Sequence, residues 1–456
     1  MPTRRQLLTT LLTAAGASLL PQHSLAQQDS SKPRRIGWRN WSGSQSCQPS
    51  ERTAPASLTE LQQLIKDAPG KIRAVGAGHS FMPLVPTDGT LLSLSRLSGL
   101  IDADADSLQA TFWSGTCLRD IGAPLEAAGQ ALVTMPDIDK QTLAGCISTA
   151  THGTGTGIGC MSSLVESLQL VTADGDLLDC SADKNPEIFQ AAKVSLGSLG
   201  IITKIRMQNQ APYRLKRETV WCGADDVLDV ADAVAEKNRN FEFYYIPFTG
   251  MGWTDMHNVT DEPLGETERL DSNEAAQDLK TVRDMLGWSP KLRELIMSSY
   301  IKTLDNEVRV ESSWKNYASE RNVRFNEMEY HLPRENGIKA MREVRDVLEN
   351  NFSEVFFPIE FRYVAADGIW LSPFYQRPCC SIAVHRYFEE DYKPYFAAIE
   401  PIFHKYGGRP HWGKLNTLGR DDFAALYPRW QDFIEVRRQL DPQGKFLNPY
   451  LESLLA

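Results

Sequence analysis

The stretch Ile72-Arg73-Ala74-Val75-Gly76-Ala77-Gly78-His79-Ser80-Phe81 (residues 72–81) decides what kind of fold this chain can have. Its first four residues predict a short strand, which ends at Gly76-Ala77-Gly78. A strand that runs into Gly-x-Gly presents successive backbone N–H groups that can hold a phosphate. The Rossmann fingerprint does not fit, because Phe81 replaces its third glycine and no helix pattern follows. A tight turn alone would leave His79 unexplained.

A second glycine-rich stretch lies further along the chain, Gly145-Cys146-Ile147-Ser148-Thr149-Ala150-Thr151-His152-Gly153-Thr154-Gly155. Small and hydroxyl-bearing residues alternate there, within a region (137–160) that we expect to be mostly loop. Such a segment can lie flat against a planar ring and donate hydrogen bonds to its edge. A plain surface loop is the alternative. It is less attractive because the two glycine-rich stretches flank one predicted helix (120–128) and each contains a histidine.

Elements around these two stretches predict an α+β protein. Ser57, followed three residues later by Glu60, predicts the start of a helix that ends near Ala68. Short strands are expected before and after it. Near residue 212 the pattern changes to longer helices between aromatic-rich strands, and strand and turn patterns return near Gly407. We therefore predict domain segments at 27–212, 213–406 and 407–456, after a signal peptide at 1–26.

Three later motifs add to the two glycine-rich ones: Glu360-Phe361-Arg362, Ala366 to Pro373, and Arg409-Pro410-His411-Trp412-Gly413-Lys414. In this order the motifs resemble those of the vanillyl-alcohol-oxidase-type flavoproteins, and most of all the sugar-1,4-lactone oxidase and alditol oxidase branch. The resemblance runs from about Trp38 to Leu451 and is weakest between 250 and 335. It implies a split FAD-binding domain of the PCMH type, with an inserted α+β cap domain that carries the substrate site.

The resemblance also implies which residues hold the cofactor. His79 matches the histidine that is joined covalently to the flavin in this family. The other positions that match cofactor contacts are Gly76, Ala77, Gly78, Ser80, Ser148, Thr149, His152, Gly153, Gly200 and Ile201. The second, cysteinyl link of the berberine-bridge branch is not expected here, because the surroundings of Cys146 and Cys160 do not match its pattern.

Different residue types are needed on the substrate side. Removing hydride from a C–OH carbon needs a group that receives or screens the hydroxyl proton, and cations for the charge that develops. Glu360 and Arg362 are two apart in a predicted strand, so both project from one face. A surface ion pair is the ordinary alternative. The family resemblance instead places Glu360, Arg362 and Lys414, together with His385, in the substrate pocket.

Composition and cysteine spacing exclude several other classes. The 456 residues are 42% hydrophobic and 23% charged, with a net charge of −10. An acidic chain of this kind is a poor binder of nucleic acid or anionic membranes. None of the eight cysteines forms a C-x-x-C pair, so we predict no metal site.

At the N-terminus, Arg4-Arg5 precedes a mildly apolar stretch, Leu7 to Leu20, and the small-x-small sequence Ser24-Leu25-Ala26. The stretch is shorter than the roughly 20 residues that cross a bilayer. This pattern predicts a twin-arginine signal peptide and a periplasmic or secreted protein with no membrane span after cleavage. A signal for another export route and an uncleaved anchor are the alternatives.

The predicted function is oxidation of a sugar-1,4-lactone at a C–OH carbon, with electrons passing through FAD to O2. Three alternatives stay open. The enzyme could act on an alditol rather than a lactone, and Asn416, which replaces a histidine found in many relatives, weakens any naming of the exact substrate. It could be a dehydrogenase that uses a carrier protein. It could also be a secreted carbohydrate-binding or structural protein without turnover, which the two flavin-type loops argue against.

Overall fold

The computed structural model of this protein describes residues 36–265, 272–319 and 323–456. The predicted signal peptide, 1–26, lies outside the described residues. Within them, no helix combines the length and hydropathy that crossing a bilayer requires, and the eight cysteines are free thiols.

The first half of the described chain forms three small sheets. Its strands are β1 (Trp38–Arg39), β2 (Ser46–Cys47), β3 (Glu51–Thr53), β4 (Ile72–Val75), β5 (Thr90–Ser93), β6 (Leu100–Asp104), β7 (Gln109–Trp113), β8 (Val165–Val171), β9 (Leu177–Ser181) and β10 (Ile201–Gln208). Strands β1 and β2 pair alone. The parallel sheet β3-β5-β4 and the antiparallel sheet β6-β7-β10-β8-β9 form the framework on which both glycine-rich stretches lie.

A single large antiparallel sheet dominates the second half. Its strands are β11 (Arg214–Gly223), β12 (Asn240–Ile246), β13 (Met251–Thr260), β14 (Glu307–Ser312), β15 (Phe325–Pro333), β16 (Ile359–Val364), β17 (Cys379–Tyr387) and β18 (Arg409–Pro410). They lie in the order β14-β11-β13-β12-β16-β17-β15-β18. The predicted boundary at 406/407 assigns β18 to the returning segment, yet β18 pairs with β15 of this sheet. The proposed domain boundaries stay predictions.

The α-helices, in chain order, are α1 (Leu58–Asp67), α2 (Gly122–Ala127), α3 (Leu143–Ser148), α4 (Pro186–Ala192), α5 (Ala224–Lys237), α6 (Ser272–Leu286), α7 (Pro290–Ile301), α8 (Ser313–Tyr317), α9 (Arg334–Asn351), α10 (Lys393–Lys405), α11 (Arg420–Leu426), α12 (Trp430–Leu440) and α13 (Pro449–Leu455). Helix α1 begins as predicted: the Ser57 side chain accepts a hydrogen bond from the Glu60 amide, and the Ala56 amide donates to the Glu60 carboxylate.

The two faces of the large sheet differ in chemistry. Strand β15 alternates Met328, Tyr330 and Leu332, which face apolar neighbours, with Glu327 and Glu329, which face the opposite side. Helices α9 and α10 pack on the apolar side. Burial of each large apolar side chain contributes about 1.5–3 kcal/mol. The other side is polar and nevertheless buried, so its charged groups must be paired within the protein.

One expectation about secondary structure is confirmed and one is wrong. Residues 137–160 are mostly loop, as predicted, and they contain the short helix α3, where Leu143, Cys146 and Ile147 recur at helical spacing and the Thr142 side chain caps the first turn. The segment after Gly407 was expected to be strands and turns, yet β18 is followed by α11, α12 and α13. Buried side chains at Trp430, Phe433 and Ile434 explain the helical outcome.

Candidate active site

The first glycine-rich loop presents free backbone donors. It follows β4, and the amides of residues 77 to 80 donate to no acceptor in the described chain. Gly76 and Ala77 are exposed. Gly78 has a φ of +71°, a left-handed conformation that favours glycine, and its carbonyl accepts from the Trp41 amide at 2.8 Å. Free, exposed amides at a strand end are what a phosphate requires.

Gly76 is fixed by close packing against the second glycine-rich segment. A Cβ at this position would lie 2.3 Å from Thr142 Oγ1, the hydroxyl that caps α3. Glycine is therefore required at position 76, and the two glycine-rich segments contact each other at this point.

His79 is held by an aromatic neighbour. Its ring stacks on Trp41, with the centroids 5.1 Å apart and the planes 24° from parallel. Burial, and then the positive charges of Lys414 and Lys140, lower the pKa of His79 to about 4. The ring is therefore neutral at physiological pH, which leaves one nitrogen with a free lone pair.

Side chains of the second segment mainly contact protein groups. Thr149 Oγ1 donates to the Gly145 carbonyl at 3.1 Å. The His152 ring nitrogens lie 2.8 Å from the Gly153 carbonyl oxygen and 3.0 Å from Glu329 Oε1. A Cβ on Gly153 would lie 2.7 Å from the Met135 carbonyl oxygen. These contacts fix the segment against the large sheet, and the cofactor roles predicted for Ser148, Thr149, His152 and Gly153 stay predictions.

Gly200 and Ile201 lie at the start of β10. Gly200 has a φ of +150°, and a Cβ there would lie 2.7 Å from the Val171 carbonyl oxygen. Ile201 pairs with Val171 and is buried. Strand packing explains the positions of both residues, and the cofactor roles predicted for them stay predictions. Buried Arg73 of β4 donates to the Leu196 and Gly197 carbonyls at 2.8 Å, which connects the segment before β10 to the strand before the first loop.

The polar face of the large sheet holds a cluster of charges around Arg362. Its Nε donates to Glu242 Oε2 at 2.7 Å, and its Nη2 contacts Glu360 and lies 3.6 Å from Asp137 Oδ1. The Tyr244 hydroxyl donates to Glu360 at 2.7 Å. Burial, with the nearby charges of Asp137 and Glu242, outweighs the effect of Arg362 and raises the pKa of Glu360 to about 7. The predicted pair is therefore part of a buried network, and the surface ion-pair alternative is wrong.

A second group of charges lies beside it. The Lys414 ammonium is in contact with the Glu327 carboxylate. His385 Nε2 lies 3.6 Å from the other oxygen of Glu327, and His385 Nδ1 lies 3.1 Å from the Pro358 carbonyl oxygen. Burial alone would raise the pKa of Glu327, but the charges of Lys414 and His385 hold it below its ordinary value.

Contacts connect this sheet face to the first glycine-rich loop. The Phe81 amide donates to the Gly413 carbonyl at 2.7 Å, and Lys414 Nζ lies 5.3 Å from the centre of the Phe81 ring. Trp41, which stacks on His79, also contacts Phe325 at a centroid distance of 5.0 Å. The Phe325 ring in turn lies 5.0 Å from that of His385. The structure thus brings the four predicted catalytic residues, Glu360, Arg362, Lys414 and His385, to the side where His79 lies.

The sequence did not predict several polar residues on or beside this face, namely Asp137, Glu242, Tyr244, Glu327, Glu329, His331 and His411. One signal was available. Glu327, Glu329 and His331 recur at every second position of an otherwise apolar strand, which places three polar groups on one face.

Two buried groups place potential metal ligands close together, His152–Glu329–His331 and Glu327–Glu360–His385. In each, a carboxylate already has a protein partner: Ser381 Oγ donates to Glu329, and Lys414 contacts Glu327. These contacts account for the two groups as internal networks.

The site fits FAD on two observations, the free amides of residues 77 to 80 and the neutral ring of His79 beside them. FAD, when bound, supplies the acceptor for a hydride taken from a substrate carbon. The polar sheet face supplies cations at Arg362 and Lys414 and hydrogen-bond acceptors at Glu360 and Glu327. This combination suits oxidation of an alcohol carbon.

Comparisons with known proteins agree with this geometry. The D-arabinono-1,4-lactone oxidase family profile matches residues 205–454, and an FAD-binding domain profile matches residues 49–181. The chain is 34% identical to L-gulono-1,4-lactone dehydrogenase of Mycobacterium tuberculosis, over 92% of this chain and 99% of that protein. It is 30% identical to L-gulonolactone oxidase of Bos taurus (92% and 98%) and 27% identical to alditol oxidase of a Streptomyces species (91% and 98%).

The fold is also found among solved structures. Cholesterol oxidase from Brevibacterium sterolicum has a TM-score of 0.77 at 15% identity, covering 95% of this chain and all of that one. This likeness concerns the fold alone. It confirms the predicted α+β class with a PCMH-type FAD-binding domain and an inserted α+β cap. Over most of its length, this chain belongs to the D-arabinono-1,4-lactone oxidase family and is an FAD-dependent oxidoreductase that acts on CH–OH groups.

Proposed function

We propose that this protein oxidises a sugar-1,4-lactone at a C–OH carbon. The observation that carries the proposal is the buried polar face of the large sheet, where Glu360, Arg362, Lys414 and His385 lie together on the side of His79. Relatives that cover nearly the whole chain bear the names of gulonolactone oxidase and gulono-1,4-lactone dehydrogenase. A small, uncharged, hydroxyl-rich substrate suits a site that offers both donors and acceptors.

Each residue has a distinct part in this proposal. Arg362 and Lys414 stabilise negative charge that develops as hydride leaves the substrate carbon. Glu360 accepts a hydrogen bond from a substrate hydroxyl and orients the carbon that reacts. His385, whose Nδ1 lies by the Pro358 carbonyl, contributes a ring edge to the same pocket.

Oxygen is the proposed electron acceptor, with H2O2 as the product. Relatives named oxidase and relatives named dehydrogenase both align over nine-tenths of the chain, so an experiment must decide. Purified protein is assayed with a panel of sugar lactones, following oxygen uptake in one series and reduction of an artificial dye acceptor under argon in the other. We expect both reactions. Dye reduction without oxygen uptake would identify a dehydrogenase.

Alditol oxidation is a second candidate, supported by the alditol oxidase relative. The same assay decides between the two when polyols such as xylitol and sorbitol are included. A kcat/KM at least about tenfold higher for a lactone than for any polyol, a difference of about 1.4 kcal/mol, supports the first proposal. The reverse ratio supports the second.

We also propose that FAD is covalently attached through His79. The support is the family resemblance around Gly78-His79-Ser80 and the neutral, partly exposed ring. The flavin should stay with the polypeptide after acid precipitation. In His79→Ala it should be released, while the free amides of the loop still bind FAD. Flavin in the supernatant from wild-type protein would contradict attachment.

Export by the twin-arginine route, to the periplasm or outside the cell, is proposed from the first 26 residues alone. Replacing both Arg4 and Arg5 with lysine keeps the charge but removes the pair that the route recognises. The flavin-loaded variant should stay in the cytoplasm, whereas wild type leaves it. Equal export of the two proteins would assign the signal to another route.

A further inference from the structure

Lys414 depends mainly on one neighbour, Glu327, for its charge. Its ammonium is surrounded by protein, in contact with Glu327, and the centre of the Phe81 ring lies 5.3 Å away. Burial by itself would lower the pKa of this ammonium, but Glu327, followed by Glu329, raises it above its ordinary value. An ammonium in such a place stays charged because a carboxylate lies beside it.

The same carboxylate reaches His385. One oxygen of Glu327 contacts Lys414 and the other lies 3.6 Å from His385 Nε2. Glu327 is 4% exposed and lies directly opposite His385 in the β15–β17 pairing. A single side chain therefore holds two of the residues that the proposed reaction uses, although they come from different segments.

We propose that Glu327 is a positioning residue of the reaction, whose carboxylate keeps the Lys414 ammonium charged and aligned with His385 at the substrate face of the sheet. This inference rests on the proposed function for its kinetic consequence. The sequence gives no family motif at Glu327, which lies outside the motifs that identify the family.

Several other charged or titratable groups face Lys414, and none of them can replace Glu327. On β15, Glu329 is already bonded to His152 and Ser381. Asp137 lies close enough to raise the pKa of Lys414, but less than Glu327 does. The neutral rings of His79 and His411 complete the surroundings, with burial as the main cause of the lowered pKa of each.

The test compares wild type with Glu327→Gln, Glu327→Asp and the control Glu400→Gln. Glu400 is also a buried carboxylate, bonded to the Tyr330 hydroxyl at 2.6 Å and the Thr417 amide at 2.7 Å, but it lies on α10. In Glu327→Gln, the basic limb of the kcat–pH profile should move to lower pH, with about a tenfold loss of kcat at pH 9 for each unit that the pKa of Lys414 falls below that pH. KM should change much less.

The other variants should behave differently. Glu327→Asp keeps the charge, so its basic limb should stay where wild type has it, even if kcat falls. Glu400→Gln should leave the profile unchanged. A Glu327→Gln profile that coincides with wild type, with kcat within a factor of two, would overturn the proposal.

A second measurement needs no substrate. In Glu327→Gln we expect the pKa of Lys414, whose side chain is only 17% exposed, to fall below that of the unfolded chain, so that the unfolded state binds more protons and stability rises with pH. The deficit in melting temperature relative to wild type should therefore be larger at pH 7.5 than at pH 10. It should lose this pH dependence when Lys414→Met is added.

A pH-independent deficit would overturn the proposal. If wild type oxidises neither lactones nor polyols, the proposed function fails. The unfolding comparison still tests the Glu327–Lys414 pair.

Discussion

The first glycine-rich loop and the polar face of the large sheet both belong to the proposed site, but they offer different groups. The loop of residues 76–80 offers its backbone: free amides, a left-handed Gly78, and a Gly76 without room for a Cβ. The sheet face acts through side chains, with Arg362 and Lys414 each held by buried carboxylates.

The contrast has an energetic consequence. A backbone loop loses function when an atom is added, because added bulk displaces its neighbours. A buried charge network loses stability when a charge is removed, because the partner charges stay buried without compensation. Substitutions in the loop should therefore mainly impair function, and substitutions in the charge network should mainly reduce stability. Both effects can be measured.

The largest effect is expected for Arg362→Met. It leaves Glu242, Glu360 and Asp137 clustered without their cation, and breaking a buried pair typically costs about 3–5 kcal/mol. Urea unfolding of the flavin-loaded protein measures this loss. Arg334→Met is the matched control, because its ion pairs with Asp232 and Glu236 are largely exposed and should be worth under about 1 kcal/mol. Similar losses of unfolding free energy in both variants would show that the buried charge network of the sheet face contributes no more to stability than an exposed ion pair.

The second-largest effect is expected for Lys414→Met, and it should be a lower kcat. Loss of a donor that stabilises developing charge costs about 2.7–4 kcal/mol, or roughly a hundred- to thousand-fold in kcat. Because the proposed cofactor contacts are backbone groups of the loop, flavin content should not change. Lys405→Met, whose exposed ammonium pairs with Glu343, is the control and should keep wild-type kinetics. Steady-state kinetics with flavin absorbance separates these outcomes, and a kcat within a factor of two of wild type would exclude Lys414 from the reaction.

Gly76→Ala tests the first glycine-rich loop by adding one carbon atom to it. Its Cβ would lie 2.3 Å from Thr142 Oγ1, so the loop or α3 must shift. We expect poor flavin incorporation, with a loss of stability of about 1–3 kcal/mol from overpacking. Gly70→Ala is the control, because nothing lies within 4 Å of a Cβ there. The ratio of flavin to protein absorbance measures the outcome. Full flavin loading in Gly76→Ala would mean that the loop tolerates bulk.

The same contrast explains what could be predicted from the sequence. The first glycine-rich loop could be predicted because a backbone that approaches a ligand restricts residue types to glycine and small residues, and this leaves a local pattern around His79. Glu360 and Arg362, which the structure places in one buried network, were predicted through a motif. Asp137, Glu242 and Glu327 were not, because each is an ordinary acidic residue until pairing of the strands and loops places it beside a cation. Contacts between residues that are far apart in the chain leave no recognisable spacing in the local sequence.

Local patterns also leave the reason for a small residue open. Gly145, Ser148 and Thr149 predict a segment along a planar ring, and part of this stretch is helix α3, where the Thr149 hydroxyl donates to the Gly145 carbonyl. Gly200 is predicted to contact the cofactor, and its positive φ and tight approach to the Val171 carbonyl also fit strand packing. A glycine signals close approach, but the sequence does not say whether a cofactor or another strand approaches.

The smallest effect concerns the charge state of Glu360. Because its pKa is raised to about 7, the folded protein holds this proton more tightly than the unfolded chain. The resulting stability is present at low pH and is lost as pH rises through about 7. Relative to Glu360→Gln, wild type should therefore show a falling melting temperature between pH 5 and pH 8.

Activity should change in the opposite sense, since the ionised carboxylate of Glu360 is the stronger acceptor for a substrate hydroxyl. The kcat/KM of wild type should rise about tenfold per pH unit below pH 7 and level off above it, while the rise disappears in Glu360→Gln. If Glu360→Gln keeps the same acidic limb, another group titrates there, and the assignment of this limb to Glu360 is wrong.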